Sequence, residues 1–387
     1  MQRTHEHQEI YRTVERFVVD EINPHVEQWE RDGVFPAHEI FKKMGDLGIL
    51  GIHKPEAVGG MGLDYSYQME FAEALGACTC GGIPMAIGVQ TDMATPALAR
   101  FGSDYLKDNF LKPAIAGDHV AAIAVSEPGA GSDVAGIKTT ARRDGGDYVI
   151  SGSKQWITNG TQADWACTLV NTGDADPNSR HGNKSLIVVP LDAQGVDRQT
   201  KLDKLGQRSS DTAIIFFDEV RVPANHLIGE EGKGFYYILD GINPERVMVA
   251  AEAVGLGRCA LGKAVEYAKE RVVFGRQIGQ NQSIQHPLAD AWSHLSAADL
   301  MTWKAAALYD AGQPCGAEAN AAKYLAAEAC FTACERAVLT HGGMGYAKEY
   351  HVERYMRESF VSRIAPVSRE MILNYISERV LGLPRSY

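Results

Sequence analysis

Apolar residues recur at spacings of three and four through the first third of the chain, which is the pattern of amphipathic helices. The clearest face comprises Ile10, Val14, Phe17 and Val18, and Pro24 is expected to end or bend that helix. The same period continues over residues 41–50, 67–75, 94–101 and 105–115. We therefore predict that this part of the chain is entirely helical.

Beyond the helical part, the pattern changes to short apolar runs separated by turn residues. The run 119–125 precedes a turn, 144–147 separates two strand-like stretches, and 186–189 and 214–217 are further β-type runs. Short strands with turns at this spacing are typical of a small β-barrel or sandwich. The polar segment 171–183, which contains Gly and Pro, is expected to be an exposed loop.

The helical period returns at about Gly234, in long Ala-rich segments that include 317–339 and 352–380. Helices, then strands, then helices indicate separate domains of an α+β protein instead of an alternating α/β sheet. We predict a helical domain over 1–117, a β-barrel domain over 118–232 and a helical bundle over 233–387.

Composition and charge narrow the function classes. The chain has 387 residues, 45% of them hydrophobic and 22% charged, with a net charge of -11. An acidic chain without basic clusters is a poor candidate for binding nucleic acid or anionic membranes. There is no apolar run long enough to cross a bilayer, and the N-terminal segment has no signal core. We expect a soluble cytoplasmic protein, although a processed mitochondrial matrix form would look the same.

The seven cysteines are odd in number and lack the spacing of zinc ligands. We expect buried free thiols and no metal site. The segment Gly255–Ala260 matches the dinucleotide pattern G-x-G-x-x-A, but that fingerprint needs a preceding strand, and 247–254 has a helical pattern. Close helix packing is the favoured interpretation of these glycines.

Two other motifs carry candidate chemistry. Val125–Asp133, which reads VSEPGAGSD, places Ser hydroxyls and backbone N–H groups in a glycine turn after a strand-like run. Such a turn suits a phosphate or a flavin edge because side chains do not block the amides. Residues 154–160 read KQWITNG, and alternation on a strand would place Trp156 and Thr158 on one face. A stacking surface beside a hydroxyl suits an isoalloxazine ring.

Together these motifs resemble the flavin-binding signature of acyl-CoA dehydrogenases. The family's other signatures are matched in the same order by residues 206–212, 222–235, 271–277 and 341–346. The resemblance covers almost the whole chain. It implies an N-terminal helical domain, a β-barrel and a C-terminal four-helix bundle, assembled as a homotetramer. It also implies FAD as cofactor, an acyl-CoA substrate and electron-transferring flavoprotein as electron acceptor.

The resemblance also implies which residues bind FAD. Those matching the flavin and pyrophosphate contacts are Val125, Ser126, Gly131, Ser132, Trp156 and Thr158. Those matching the contacts with the ADP half, across a subunit boundary, are Arg271, Phe274, Gln282, Gly342 and Gly343. Leu339 departs from the family, which often has Gln at that position, and this puts one ADP contact in doubt.

The reaction requires a carboxylate that removes the substrate α-proton. Many family members carry this Glu near the C-terminus, but the matching stretch here, Ala365–Ser368, has none. Isovaleryl-CoA and long-chain enzymes carry it on a bundle helix, at the position of Glu245. We expect Asn243 to cap that helix and Pro244 to occupy its first position. The helix dipole would then favour the Glu245 carboxylate, whereas burial would favour the neutral acid. On local sequence alone, a first-turn helix stabiliser is the favoured interpretation of Glu245, but the resemblance and the missing C-terminal Glu favour the base.

Pro366 raises a second question, because the family polarises the thioester carbonyl with the backbone N–H at this position. Proline has none. Losing one such donor typically costs ~3 kcal/mol of transition-state stabilisation. Three alternatives remain open: Val367 supplies the amide, the site is weakened, or the chemistry has changed.

The substrate contacts implied by the resemblance are Ser132, Arg246, Gly88 and Ala365. Ala365 is small where many members have Tyr, and Gly88 replaces a larger residue, which predicts a deep pocket for a branched or medium-to-long acyl chain. Packing of helices would account for both small residues almost as well. Citronellyl-CoA dehydrogenases are the subfamily most resembled.

Three alternative functions fit the same fold. A flavin monooxygenase or oxidase would react with oxygen, but Thr158 and Glu245 favour a dehydrogenase. A non-catalytic flavoprotein subunit is suggested by Pro366 and Leu339, yet the flavin motifs are intact. A nucleic-acid-binding relative would need additional basic sequence.

Overall fold

The computed structural model describes residues 3–173 and 181–386. Its first part is helical, as predicted, and the helix around residues 10–18 ends before Pro24, which lies in a 3₁₀ turn (Asn23–His25). The Thr4 side chain caps the first helix by accepting a hydrogen bond from the His7 N–H. The helices are α1 (His5–Phe17), α2 (Val26–Asp32), α3 (Ala37–Asp46), α4 (Tyr65–Ala74), α5 (Gly82–Gly88), α6 (Pro96–Phe101), α7 (Asp104–Leu106) and α8 (Lys112–Ile115).

The central part is an eight-stranded sheet. Its strands are β1 (Ala121–Ala124), β2 (Thr140–Asp144), β3 (Asp147–Thr158), β4 (Trp165–Asn171), β5 (Lys184–Pro190), β6 (Val196–Lys201), β7 (Thr212–Pro223) and β8 (Leu227–Ile228). They pair in the order β6-β7-β3-β2-β4-β5-β8, and β1 pairs with β4 in parallel. The β domain is thus confirmed. It is an open sheet and not the closed barrel expected, because among the described strands the pairing path has two ends, β6 and β8.

The sheet is apolar on both faces at its centre. Every residue of β4 from Trp165 to Val170 is buried. Trp165 and Leu169 pack in one cluster with Leu98 and Leu106 of the N-terminal helices, whereas Val170 belongs to the cluster on the other face. Strands buried on both sides read as continuous apolar runs, and this run was the signal that could have located β4.

The C-terminal part has three long helices, α9 (Gly234–Glu270), α10 (Gln282–Asp310) and α11 (Gly316–His341). A hairpin of β9 (Val272–Val273) and β10 (Arg276–Gln277) joins the first two. The helix predicted over 317–339 is confirmed. The one predicted over 352–380 is broken into α12 (Val352–Glu358), α13 (Val361–Ile364) and α14 (Arg369–Tyr375). The break between α13 and α14 follows from Pro366, which lacks an N–H and disfavours helical geometry at the residue before it.

The G-x-G-x-x-A segment lies inside α9 and serves helix packing, as interpreted. A Cβ on Gly255 would lie 2.2 Å from the Glu73 carbonyl oxygen, and one on Gly257 would lie 2.6 Å from Leu295 Cδ2. Only glycine permits these approaches.

Two further predictions from the sequence, on the cysteines and on the loop 171–183, can be compared with the structure. The seven cysteines are free thiols, six of them buried, as expected. Of the loop predicted over 171–183, residues 174–180 lie outside the described residues. No helix in the described part of the chain is both long and apolar enough to cross a membrane.

One carboxylate ties the three parts together. Glu358, at the end of α12, is buried, and its Oε1 accepts a hydrogen bond from the Gln207 N–H at 2.7 Å. Its Oε2 accepts one from the Gly81 N–H, just before α5, at 2.6 Å. Burial raises the pKa of this carboxyl to about 7, against the lowering effect of both donors. Arg354, one turn earlier, donates to the Thr79 carbonyl at 3.0 Å. The relative positions of α5 and the C-terminal helices therefore depend on this junction.

We expect Glu358→Ala to lower the free energy of unfolding by about 2 to 6 kcal/mol, since it leaves two buried N–H groups without an acceptor. Thermal and urea unfolding measure the loss. The exposed Glu349→Ala is the matched control and should change stability by less than about 0.5 kcal/mol. Equal behaviour of the two variants would contradict the assigned role of Glu358.

Candidate functional site

Glu245 lies about three turns inside α9, and not in its first turn as expected. The helix begins at Gly234 and continues through Pro244, so Asn243 is not its cap. The Asn243 side chain instead accepts a hydrogen bond from Arg246 Nη1 at 2.9 Å. The dipole of a helix start therefore has no part in the electrostatics of Glu245.

A residue outside α9 explains how the helix passes through the proline. Pro244 leaves the carbonyl of Asp240 without its intrahelical donor. Arg100 of α6 donates to that carbonyl at 3.4 Å and also ion-pairs with the Asp240 carboxylate. The guanidinium replaces the missing N–H, and this contact spans 140 positions of the sequence.

Burial dominates the electrostatics of Glu245. It raises the pKa of the carboxyl to about 8, which the Arg246 charge opposes and the Asp92 charge reinforces. Of the two expectations for this carboxyl, the neutral acid prevails at neutral pH. A group with such a pKa changes its protonation state close to physiological pH, as a general base must.

Asp92 is a site residue that the sequence reasoning missed. It lies in the π-helical turn that extends α5 (Val89–Ala94) and accepts hydrogen bonds from Gln68 Nε2 at 2.7 Å and Thr91 Oγ1 at 2.6 Å. The Tyr65 hydroxyl lies 2.7 Å from both Asp92 Oδ1 and the Pro244 carbonyl oxygen. Tyr65 thereby joins the two helices beside Glu245. The available signal was one Asp in an otherwise largely apolar helical segment.

A cavity of ≈ 390 Å³, the cleft of the candidate site, adjoins this hydrogen-bond network. Cationic, phenolic and carboxyl groups line it, together with a face of the proline: Lys54, Arg100, Tyr65, Tyr309, Asp92 and Pro244. Burial lowers the pKa of Lys54 to about 7, although the Asp92 charge opposes the shift.

Gly88 of α5 packs directly against α9. A Cβ placed on it would lie 2.9 Å from Met248 Cε and 3.1 Å from Glu252 Oε1. These two side chains take the space that the glycine leaves, so the missing side chain does not deepen the cleft at this point. Burial raises the pKa of the Glu252 carboxyl to about 8, and the Asp92 charge adds to this shift. Glu252 was not predicted from the sequence.

The Val125–Asp133 turn is fixed to β3 by a buried ion pair. Lys154 Nζ lies 2.9 Å from Glu127 Oε1 and donates to the Val125 carbonyl at 3.0 Å. The Gln155 N–H donates to the Ser126 carbonyl at 2.9 Å. Burial by itself raises the pKa of Glu127, but the Lys154 charge and several donors outweigh it, so the net shift is downward. The two motifs that resemble a flavin-binding signature, Val125–Asp133 and residues 154–160, therefore form one structural unit.

Several hydrogen-bond donors of this structural unit have no acceptor among the described residues. The N–H groups of Gly131 and Ser132 and the hydroxyls of Ser126 and Thr158 donate to no atom within 3–173 or 181–386. A Cβ on Gly131 would meet nothing within 4 Å. Open amides in a glycine turn suit an anionic phosphate.

Trp156 lies in a β-bulge of β3 with a positive φ of 66°. Its side chain is 60% exposed, Ile157 is buried and Thr158 is half-buried. This sequence of burial agrees with the expected alternation, although the bulge gives Trp156 a left-handed backbone that simple strand geometry does not predict. The exposed ring and the free hydroxyl fit a flavin.

Asn159 connects this unit to the cleft. The residue is buried and also has a positive φ, of 65°. Its Nδ2 donates to the Ala86 carbonyl of α5 at 3.0 Å and to the Ala121 carbonyl of β1 at 3.2 Å. The end of the motif over residues 154–160 is therefore held beside α5, which carries Gly88 and whose extension carries Asp92.

The residues matched to the ADP half lie elsewhere in the chain. Arg271 directly follows α9, on the order of 40 Å along the helix axis from Glu245. Phe274 has a positive φ at the tip of the β9–β10 hairpin and is fully exposed. Gly342, Gly343 and Gln282 are exposed too. Within one chain, Arg271 therefore lies far from the cleft.

In the segment Ala365–Ser368, Val367 has a hydrogen-bonded carbonyl and an N–H that is left unpaired among the described residues. The Val367 carbonyl accepts a hydrogen bond from the buried Lys323 Nζ at 2.8 Å. The Val367 N–H donates to nothing in the described parts of the chain. Burial lowers the pKa of Lys323 to about 8, and the nearby Arg246 charge lowers it further. The Arg246 charge thus acts on both Glu245 and Lys323, while its own Nε is buried without a hydrogen-bond partner among the described residues.

Comparison with known proteins gives consistent results. Family models for acyl-CoA dehydrogenases match residues 4–118 (N-terminal domain), 122–220 (middle domain) and 232–381 (C-terminal domain). The chain is 39% identical over 380 residues to the probable acyl-CoA dehydrogenase YngJ of Bacillus subtilis, covering 98% of both proteins.

Two solved structures illustrate the range of similar folds. Butyryl-CoA dehydrogenase from Megasphaera elsdenii is 30% identical, with a TM-score of 0.93 over 98% of this chain and 99% of that one. The prolyl acyl carrier protein oxidase AnaB is 26% identical, with a TM-score of 0.92 over 98% and 100%. Similar folds therefore include both dehydrogenases and an oxidase.

The raised pKa of Glu245 predicts a pH-dependent stability. Between its unfolded value of 4.5 and its folded value of about 8, only the folded state holds the proton, so stability falls as pH rises. Glu245→Gln removes this titration. Its gain in melting temperature over the wild type should therefore grow from about pH 5 to pH 8 and then level off. A pH-independent difference would contradict the burial of this carboxyl, and Glu349→Gln is the exposed control.

Proposed function

The chain belongs to the acyl-CoA dehydrogenase family of oxidoreductases, and we propose that Glu245 is the base that removes the substrate α-proton. The observation that carries this assignment is a half-buried carboxyl on α9, next to the cleft, in a chain whose 365–368 segment has none. Asp92 is a weaker candidate because three side chains already hydrogen-bond it. Glu252 lies two turns further along α9, where no cation of the described residues favours its ionised form.

The protonation state of Glu245 sets its activity. The carboxyl must be ionised to accept a proton, and its pKa of about 8 makes it a comparatively strong base once ionised. We therefore expect the α-proton to be removed faster as pH rises toward 8. Arg246 is the charge that favours the ionised form.

We also propose that Val367 supplies the amide that binds the thioester carbonyl. Pro366 has no N–H, whereas the Val367 N–H is unpaired and its carbonyl is held by Lys323. The Lys323 hydrogen bond anchors the backbone on the C-terminal side of Val367, and a donor positioned before the substrate binds needs little reorganisation during the reaction. Of the three alternatives for Pro366, this one preserves the activity.

The residues present fit FAD. The open donors of the Val125–Asp133 turn, Thr158 and the exposed Trp156 would hold the flavin and pyrophosphate. The exposed hairpin at Phe274 and the Gly342–Gly343 turn of a second copy would hold the ADP half, as in a homotetramer. When bound, FAD supplies the acceptor for the hydride that leaves the substrate Cβ. Electron-transferring flavoprotein is the proposed partner that reoxidises the enzyme.

The substrate proposed is a branched or medium-to-long acyl-CoA, with Ser132, Arg246, Gly88 and Ala365 among its contacts. The small Ala365 supports branching near the reacting carbons. Gly88 lets α5 and α9 approach closely, and therefore shapes the cleft without widening it.

The base assignment predicts a clear loss of activity. An acyl-CoA added anaerobically to the FAD-loaded enzyme should bleach the flavin in the wild type, and Glu245→Gln should slow bleaching at least about 10³-fold while binding persists. Bleaching by the variant at the wild-type rate would contradict the role of Glu245. Rapid oxygen consumption by the wild type would instead indicate an oxidase.

The amide assignment predicts a contrast between two variants at one position. Val367→Pro removes the N–H and should lower kcat about 10²- to 10³-fold with little change in KM. Val367→Ala keeps the N–H and should retain activity within a few-fold. Similar kcat values for both variants would show that another group polarises the carbonyl.

A further inference from the structure

Glu252 is a half-buried residue whose carboxyl the proposed reaction does not use. Its Oε1 is inaccessible and has no hydrogen-bond partner among the residues that the structure describes. The charge that influences its pKa is the like charge of Asp92, and no cation in the described part of the chain offsets its burial. Natural proteins rarely leave such an oxygen unpaired, because an unmet buried polar group costs free energy.

Glu252 lines a second cavity between α5 and α9, which shares no lining residue with the ≈ 390 Å³ cavity beside Asp92. Pro84 and Met85 of α5 face Val249, Ala253 and Leu256 of α9 across it. These side chains are apolar, and they suit a hydrocarbon chain. Glu252 and Glu358 are the two carboxyls of this lining, and Glu358 already accepts two backbone hydrogen bonds, which leaves Glu252 as the carboxyl with an unpaired oxygen.

The position of Glu252 relative to the base is set by the helix. Glu245 and Glu252 are seven residues apart on α9, two turns along nearly the same face and ~10 Å apart along the axis. A substrate whose α-carbon lies at Glu245 and whose chain follows α9 would reach Glu252 with its distal part. An unsubstituted hydrocarbon would leave the Glu252 carboxyl unpaired there.

We infer that Glu252 binds a hydrogen-bond donor on the acyl chain, a hydroxyl or protonated amino group remote from the thioester. The inference rests on the proposed function, since it places the acyl chain between α5 and α9. A donor at this point would satisfy the unpaired Oε1, and a cationic one would also offset the carboxyls of Glu252 and Asp92. Sites built to hydrogen-bond a substrate group discriminate strongly against analogues that lack it.

The test compares ω-hydroxyacyl-, ω-aminoacyl- and unsubstituted acyl-CoAs of increasing length. Two readouts are kcat/KM for anaerobic bleaching and the Kd from the change that binding causes in the flavin spectrum, which needs no turnover. At the length that reaches Glu252, the wild type should prefer a substituted chain by about tenfold or more. Glu252→Leu should reverse this preference, and Glu252→Gln should keep the hydroxyl preference but lose that for the amine.

The outcomes separate the two proposals. If unsubstituted chains bleach the flavin and the preference ratio is the same in the wild type and Glu252→Leu, the inference is overturned and the dehydrogenase function stands. If no acyl-CoA causes bleaching, the proposed function fails, and the Kd ratios still decide whether Glu252 binds a donor. Flavin content and melting temperature confirm that each variant is folded.

Discussion

The cost of burying carboxyls between α5 and α9 is the constraint on which the proposed site depends. Glu245, Asp92 and Glu252 lie along this contact, and burial raises the pKa of each. Asp92 is compensated by three hydrogen bonds, whereas Glu252 Oε1 has no partner in the described structure. Burial without full compensation destabilises the folded protein, but it produces a base with a pKa close to working pH and a polar group available to a ligand.

The scaffold makes this arrangement possible by fixing α5 from several directions. Glu358 accepts the Gly81 N–H at the start of the helix, Asn159 donates to its Ala86 carbonyl, and Tyr65 joins its extension to Pro244. Each contact joins α5 to a different part of the molecule. Small relative movements of the domains would therefore alter the cleft, which makes the spacing of the carboxyls a property of the whole fold.

Much of this organisation could be predicted from sequence because it is local. Periodicity located the helical and β regions, and the flavin-like motifs were contiguous in the chain. The errors have non-local causes. Pro244 lies inside a helix because Arg100, from another domain, bonds the carbonyl that the proline leaves free. Trp156 has a left-handed backbone because of a bulge in the pairing with β7, and Asp92 and Glu252 become site residues only when α5 packs on α9. No sequence pattern within a single element encodes these contacts.

The central claim is that Glu245 exchanges a proton with the substrate α-carbon, and isotope exchange tests it most directly. The FAD-loaded enzyme is incubated anaerobically with an acyl-CoA in deuterated water, and NMR follows deuterium entering the α-position as a function of pH. The account predicts exchange that rises toward about pH 8 in the wild type and is lost in Glu245→Gln. Exchange that persists in Glu245→Gln and disappears in Glu252→Gln would identify Glu252 as the base and contradict the account.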